Sequence, residues 1–150
     1  MTKSFKSQMA KIEKDIADSA EKTIRASSIS LLSAIVLATP VGNPELWNGY
    51  GGKNYRGGSL RGNWQVGLGS APTSTVAGED SAGSATIEKS TGIINNFNFG
   101  DRSLWFSNNL PYADAVERGH STQVEPYAMV RTNVQNFSKV MDKVAKVNKI

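Results

Sequence analysis

Asp114, Glu117 and His120 come nearest, by residue type and spacing, to a chemical site in this chain. Residues three apart share a helical face. Two carboxylates beside an imidazole on one face could move protons or hold a cation. Gly119 breaks that alignment, because glycine takes the positive-φ conformation that ends a helix, so His120 falls past the end. The three then read as a solvated helix end. One His rules out a multi-histidine metal site within the chain, and the lack of Cys rules out a thiol nucleophile, thiolate ligands and a disulfide framework. Gly57-Gly58-Ser59-Leu60-Arg61-Gly62 lacks the spacing of a nucleophile elbow. Tyr50-Gly51-Gly52-Lys53-Asn54 lacks the glycine spacing and the hydroxyl residue of a phosphate-binding loop. No catalytic set, metal or cofactor is expected.

Basic and aromatic residues offer a second kind of chemistry. The net charge of +4 is mild. It permits contact with nucleic acid or an acidic protein surface and demands neither. Lys53 and Arg56 lie among Trp47, Tyr50 and Tyr55, so cations for phosphate alternate with rings that stack on bases. The same rings would also anchor a protein contact. Lys139, Lys143, Lys146 and Lys149 recur near one another late in the chain. They suit the negative end of a helix, or a weak DNA-facing patch.

The elements that must position these residues follow from periodicity. At 150 residues one domain is expected over 1–150. Phe5, Met9, Ile12, Ile16, Ala20, Ile24, Leu31 and Ile35 recur at helical spacing with no Gly or Pro between them, which predicts a helix over about 3–38. Its first half carries a narrow apolar stripe, expected to project or to pack on a neighbour; its second half is apolar nearly all round and belongs in the core. A break is expected near Ser27-Ser28. Thr39-Pro40 ends the helix, and 41–58 is a long Gly- and aromatic-rich loop. A body over 59–150 follows. Leu60, Trp64, Val66 and Leu68 alternate as a strand from about Leu60, with Arg61 at its start. Residues 81–94 predict a helix capped by Ser81 or Ser84. Leu104-Trp105-Phe106 predicts a buried strand feeding a short helix from Pro111 to Gly119. Trp64, Trp105 and Tyr112 are expected to anchor the core. Tyr127 onward predicts a second long helix, with Val130, Val134, Phe137, Met141 and Val144 on one face. The class is α+β: a small, mostly antiparallel sheet packed against long N- and C-terminal helices. No apolar run approaches the length that spans a bilayer, and no targeting segment is visible; a soluble, non-secreted protein without membrane contact is expected.

Three separated segments together resemble the tail-completion proteins of tailed bacteriophages, also called minor tail or neck proteins, including the lambda Z-like group. The first is Thr39-Pro40-Val41-Gly42-Asn43-Pro44 followed by Gly57-Gly58-Ser59-Leu60-Arg61-Gly62-Asn63-Trp64. The second is Asn109-Leu110-Pro111-Tyr112-Ala113 with Glu117, Arg118 and Gly119. The third is Pro126-Tyr127-Ala128-Met129-Val130. Their order and spacing match that family over about Ile24 to Val147. The stretch from Asn43 to Gly57 departs from it, since a short Asp-Thr-Gly turn has become the Gly- and aromatic-rich loop. The resemblance implies a non-enzymatic virion protein, assembled in the host cytoplasm. It would form a homo-oligomeric ring, hexameric by the family's pattern, that completes or terminates the tail. That ring would join the tail tube to the head-connector proteins, with DNA in its lumen.

A ring built from head-to-tail contacts needs two different patches on each subunit. The candidates are the loop residues Trp47, Tyr50, Tyr55 and Arg56 and the helix residues Phe5, Met9 and Ile12. Arg61, placed to bridge to a neighbour's carboxylate, and Glu117 with Arg118 complete the set. A small basic nucleic-acid-binding module, using Lys53, Arg56 and the late lysines, is the alternative. A small hydrolase around Glu117 and His120 is the third reading.

Overall fold

The structure, a computed structural model, describes residues 4–42, 57–119 and 126–148. Helix α1 runs unbroken from Phe5 to Ala38. Nothing in that span removes a backbone donor or adds backbone freedom, and Ser4 caps the start, its hydroxyl accepting from the Ser7 N–H at 3.3 Å. The expected break at Ser27-Ser28 is absent. The Ser27 hydroxyl donates to the carbonyls of Thr23 (2.7 Å) and Ile24 (3.1 Å), so it is satisfied on the helix itself. The helix stops at Thr39, which is extended (φ −71, ψ 126) because Pro40 follows.

A short helical turn, α2 (Ser59–Gly62), leads into β1 (Trp64–Leu68). After α3 (Ser84–Ile94) and a 3-10 turn at Phe99–Asp101 comes β2 (Leu104–Asn108). The two strands pair antiparallel, Trp64 opposite Asn108 and Leu68 opposite Leu104. The chain then forms α4 (Ala113–Arg118), α5 (Arg131–Gln135) and α6 (Phe137–Asn148). The α+β class and the antiparallel pairing expected from sequence are therefore found. Two boundaries differ. Residues 59–62 are helical where a strand was expected from Leu60, since Gly58 (φ +100) turns the chain in against Asp80 and Ser81. The expected C-terminal helix is also divided, at Asn136.

Helix α1 is the spine. Helices α3 and α6 both pack on it, and β1 packs on α3. The core gathers Leu32, Ile35 and Val36 of α1 with Leu60, Trp64, Val66, Ile94, Ala113 and Met129. Trp64 is in the core as expected, but Trp105 and Tyr112 are not: they are 47% and 45% exposed. In β2 the inner face belongs to Leu104 and Phe106, which pack against the core, so alternation turns Trp105 outward. Tyr112 sits in the turn before α4, and Ala113 takes the buried place. Gly67, opposite Trp105, is required: a Cβ there would collide with the Ser70 carbonyl.

The start of α3 is capped at a distance. Neither Ser81 nor Ser84 caps it. Asp80 does, its carboxylate accepting from the N–H groups of Gly83 and Thr86 (both 2.8 Å) and from the Thr86 hydroxyl (2.7 Å). Burial pushes the Asp80 carboxyl up. The Thr86 and Gly83 hydrogen bonds and the nearby Arg61 charge outweigh it and hold the group below the usual carboxylate range.

Candidate interaction surfaces

The residues singled out from sequence divide into those that tie the fold together and those left on its surface. Arg61 belongs to the first group. It lies on α2, not at a strand start, and its guanidinium reaches back to the end of α1. Nε and Nη2 donate to the Thr39 carbonyl (3.1 and 2.7 Å), Nη2 also reaches the Leu37 carbonyl (3.2 Å), and Nη1 donates to the Ser81 carbonyl. A cation at the last carbonyls of a helix meets both orphan acceptors and the negative end of the dipole. Within the chain this fork is taken up by three backbone carbonyls. Beside it the Trp64 indole N–H donates to the Thr39 hydroxyl at 2.8 Å. The two parts of the first resembling segment meet at this junction.

Glu117 is a second internal tie. Its two oxygens accept from the N–H groups of Val130 (3.0 Å) and Arg131 (2.9 Å). The backbone joins in, with Tyr127 and Ala128 donating to the carbonyls of Val116 and Glu117 (both 3.1 Å). The second and third resembling segments meet there. Asp114 points elsewhere, to Arg118 at 2.7 Å, in a pair whose side chains are both about three-quarters exposed. Asp114 and Glu117, three apart in sequence, therefore serve different partners and do not converge. Gly119 ends α4 with φ +78, as expected, and His120 lies outside the described residues. Among the described residues no group of three acidic or imidazole side chains is placed to hold a metal ion.

Between α1, β2, α4 and α5 lies an open groove of about 930 Å³. Leu31, Ile35, Trp64, Phe106 and Met129 form its floor, and Asp114, Arg118 and Arg131 stand on its rim. Its walls are mostly apolar and the charge at its mouth is mixed.

Among the described residues the most exposed apolar surface is on the first turns of α1. Phe5, Met9, Ile12 and Ile16 are 78%, 47%, 51% and 63% exposed. Every described residue from Ser4 to Ile16 is exposed, and burial begins only beyond them. This arm is about 18 Å long at 1.5 Å per residue. The sequence expectation of a projecting first half holds. Ile16 belongs with Phe5, Met9 and Ile12, a member that its four-residue step from Ile12 signals.

Lys139, Lys143 and Lys146 are exposed along one side of α6, with Asp142 among them, while Val140, Met141 and Val144 turn toward α1. Trp47, Tyr50, Lys53, Tyr55, Arg56 and Lys149 lie outside the described residues. Asp80, which acts across the Gly83 turn, carried no obvious sequence signal. Glu117 was singled out from sequence, but not for the place it takes here, capping a helix that starts fourteen positions on. No helix among the described residues is long and apolar enough to cross a membrane.

Comparison of the chain with protein-family models, with curated proteins and with solved structures finds no match.

Proposed function

We propose that this chain is a non-enzymatic structural subunit of a tailed-phage neck, one copy in a ring that completes or terminates the tail and joins it to the head connector. The observation that carries the reading is the exposed stripe Phe5, Met9, Ile12 and Ile16 on an arm that nothing in the described fold covers. Large exposed apolar residues in a contiguous line mark an association surface. The three segments resembling the neck family support it from the sequence side. They lie at the Thr39–Arg61–Trp64 and Glu117–Val130–Arg131 ties of this chain. In this reading the subunit contacts fall to the arm and to the loop bearing Trp47, Tyr50, Tyr55 and Arg56. The partners are further copies, the tail tube and the head connector, and DNA passes through the lumen.

The lysine face of α6 favours a second reading, a small basic nucleic-acid-binding module. The two separate on the mass of the protein in solution, measured by light scattering at two salt concentrations with and without duplex DNA. The neck reading expects a closed multimer indifferent to DNA. A monomer whose DNA binding falls steeply with salt would replace it with the nucleic-acid module.

A further inference from the structure

The arm of α1 has a definite partner chemistry. Its exposed residues step by four, three and four, the spacing of a coiled-coil seam, with Phe5 and Ile12 in the d positions and Met9 and Ile16 in the a positions. The flanking positions then follow. Lys6 and Glu13 occupy the e positions, and Gln8 and Asp15 the g positions. The Lys14–Asp18 ion pair lies outside the seam and does not compete for it.

We infer that this arm pairs antiparallel with the same arm of a second copy, Phe5 lying opposite the partner's Ile16 and Met9 opposite the partner's Ile12. Two features select this arrangement. The first is charge. In an antiparallel pair like flanks meet, so Lys6 faces the partner's Glu13 and Glu13 faces the partner's Lys6, giving two equivalent opposite-charge contacts. In a parallel pair Gln8 would face the partner's Glu13 and Asp15 the partner's Ala20, and neither contact is complementary.

The second feature is the course of the seam. Continued along α1 it reaches Ser19 and then Thr23, and there the end of α6 already sits, Asn148 donating to the Thr23 hydroxyl at 3.0 Å. A parallel partner would have to continue along the seam through α6. An antiparallel partner begins its helix at Phe5, opposite Ile16, so the two arms overlap over their exposed length and stop short of both bodies.

The overlap is small. Stable interfaces bury about 800 Å² per partner, and roughly three helical turns of stripe cover less. The contact is therefore weak alone and concentration-dependent, and gains strength when other contacts hold the copies together. The inference rests on the subunit reading for its use and changes the arm's part in it. A two-fold contact closes after two copies, so the arm joins subunits in pairs and ring closure falls to other surfaces.

The chain has no Cys, so single thiols report cleanly. Met9→Cys mixed with Ile12→Cys in the full chain is expected to give a mixed disulfide dimer under mild oxidation, seen by mass, with far less from either variant alone. Self-crosslinked dimers of each variant with no mixed dimer in the mixture would overturn the antiparallel pair, as would no crosslink in any sample. A second measurement guards against poor thiol geometry. Lys6→Glu and Glu13→Lys should each raise the dimer dissociation constant by roughly tenfold, given two contacts turned repulsive, and the double swap should restore it. Singles that simply add in the double would overturn the pairing. A ring that forms without the mixed crosslink would overturn this contact and leave the neck reading; a crosslinked dimer that never grows would do the reverse.

Discussion

The Trp64 indole N–H and the Thr39 hydroxyl meet at 2.8 Å in the core, across 25 positions of sequence. The same hydroxyl donates to the Ile35 carbonyl at 2.7 Å. The side chain that follows α1 therefore links the helix end to the first residue of β1. Thr39→Val keeps the shape and removes the acceptor, leaving a buried indole donor unsatisfied. It is expected to destabilise the chain by about 1–3 kcal/mol, read from the urea midpoint with the slope unchanged.

Arg61 is the other half of that junction. Lysine keeps the charge but cannot reach three carbonyls in different directions. Arg61→Lys should cost roughly 1–3 kcal/mol in denaturant unfolding, with the end of α1 exchanging its amide protons faster. An unchanged midpoint would place the contacts with Thr39, Leu37 and Ser81 outside the stability of the fold.

Asp80 makes the stability pH-dependent. Its folded pKa lies below the ordinary 3.8, so the folded state binds this proton less readily than the unfolded chain. Its contribution is therefore full above about 3.8 and is lost as pH falls through the lower folded value. Asp80→Asn keeps one acceptor for three donors and should lose about 1–2 kcal/mol at neutral pH. Its unfolding free energy should also fall less steeply than the wild type's below about pH 4. Parallel pH profiles would refute this role.

Glu117 fixes where α5 begins. Glu117→Ala removes the acceptors of the Val130 and Arg131 amides and loosens the chain just after buried Met129. Protection of those two amides against hydrogen exchange should fall by about tenfold or more, while that of α3 changes little. Equal loss at α3 would show a global effect and contradict the local tie.

These ties also mark how far the sequence could be read. Helix α1, its stop at Thr39-Pro40 and the stop of α4 at Gly119 are local matters of backbone chemistry, legible from neighbours alone. The inner face of β2 was not. Leu104, Trp105 and Phe106 are all large and apolar, so the run has no polar alternate to say which side faces water, and Trp105 turned out to be outside. Arg61 read as a strand residue because Leu60, Trp64 and Val66 keep even spacing. The helical turn that displaces it depends on Gly58 meeting Asp80 and Ser81, contacts about twenty residues away. The start of α5 is invisible locally because its cap sits on α4. The stripe of α1 was legible in spacing, and the structure adds that burial begins only past Ile16.

The central claim is that the chain assembles through the α1 arm. The most direct test is the mass of the wild type and of Ile12→Asp by sedimentation equilibrium over a wide concentration range. Ile12 is exposed in the single chain, so the variant should keep the wild-type circular dichroism and melting temperature. The wild type is predicted to grow in mass with concentration, and Ile12→Asp to need at least about tenfold more protein to do so, since burying an unpaired carboxylate is costly. Identical mass curves for the two proteins would contradict the account.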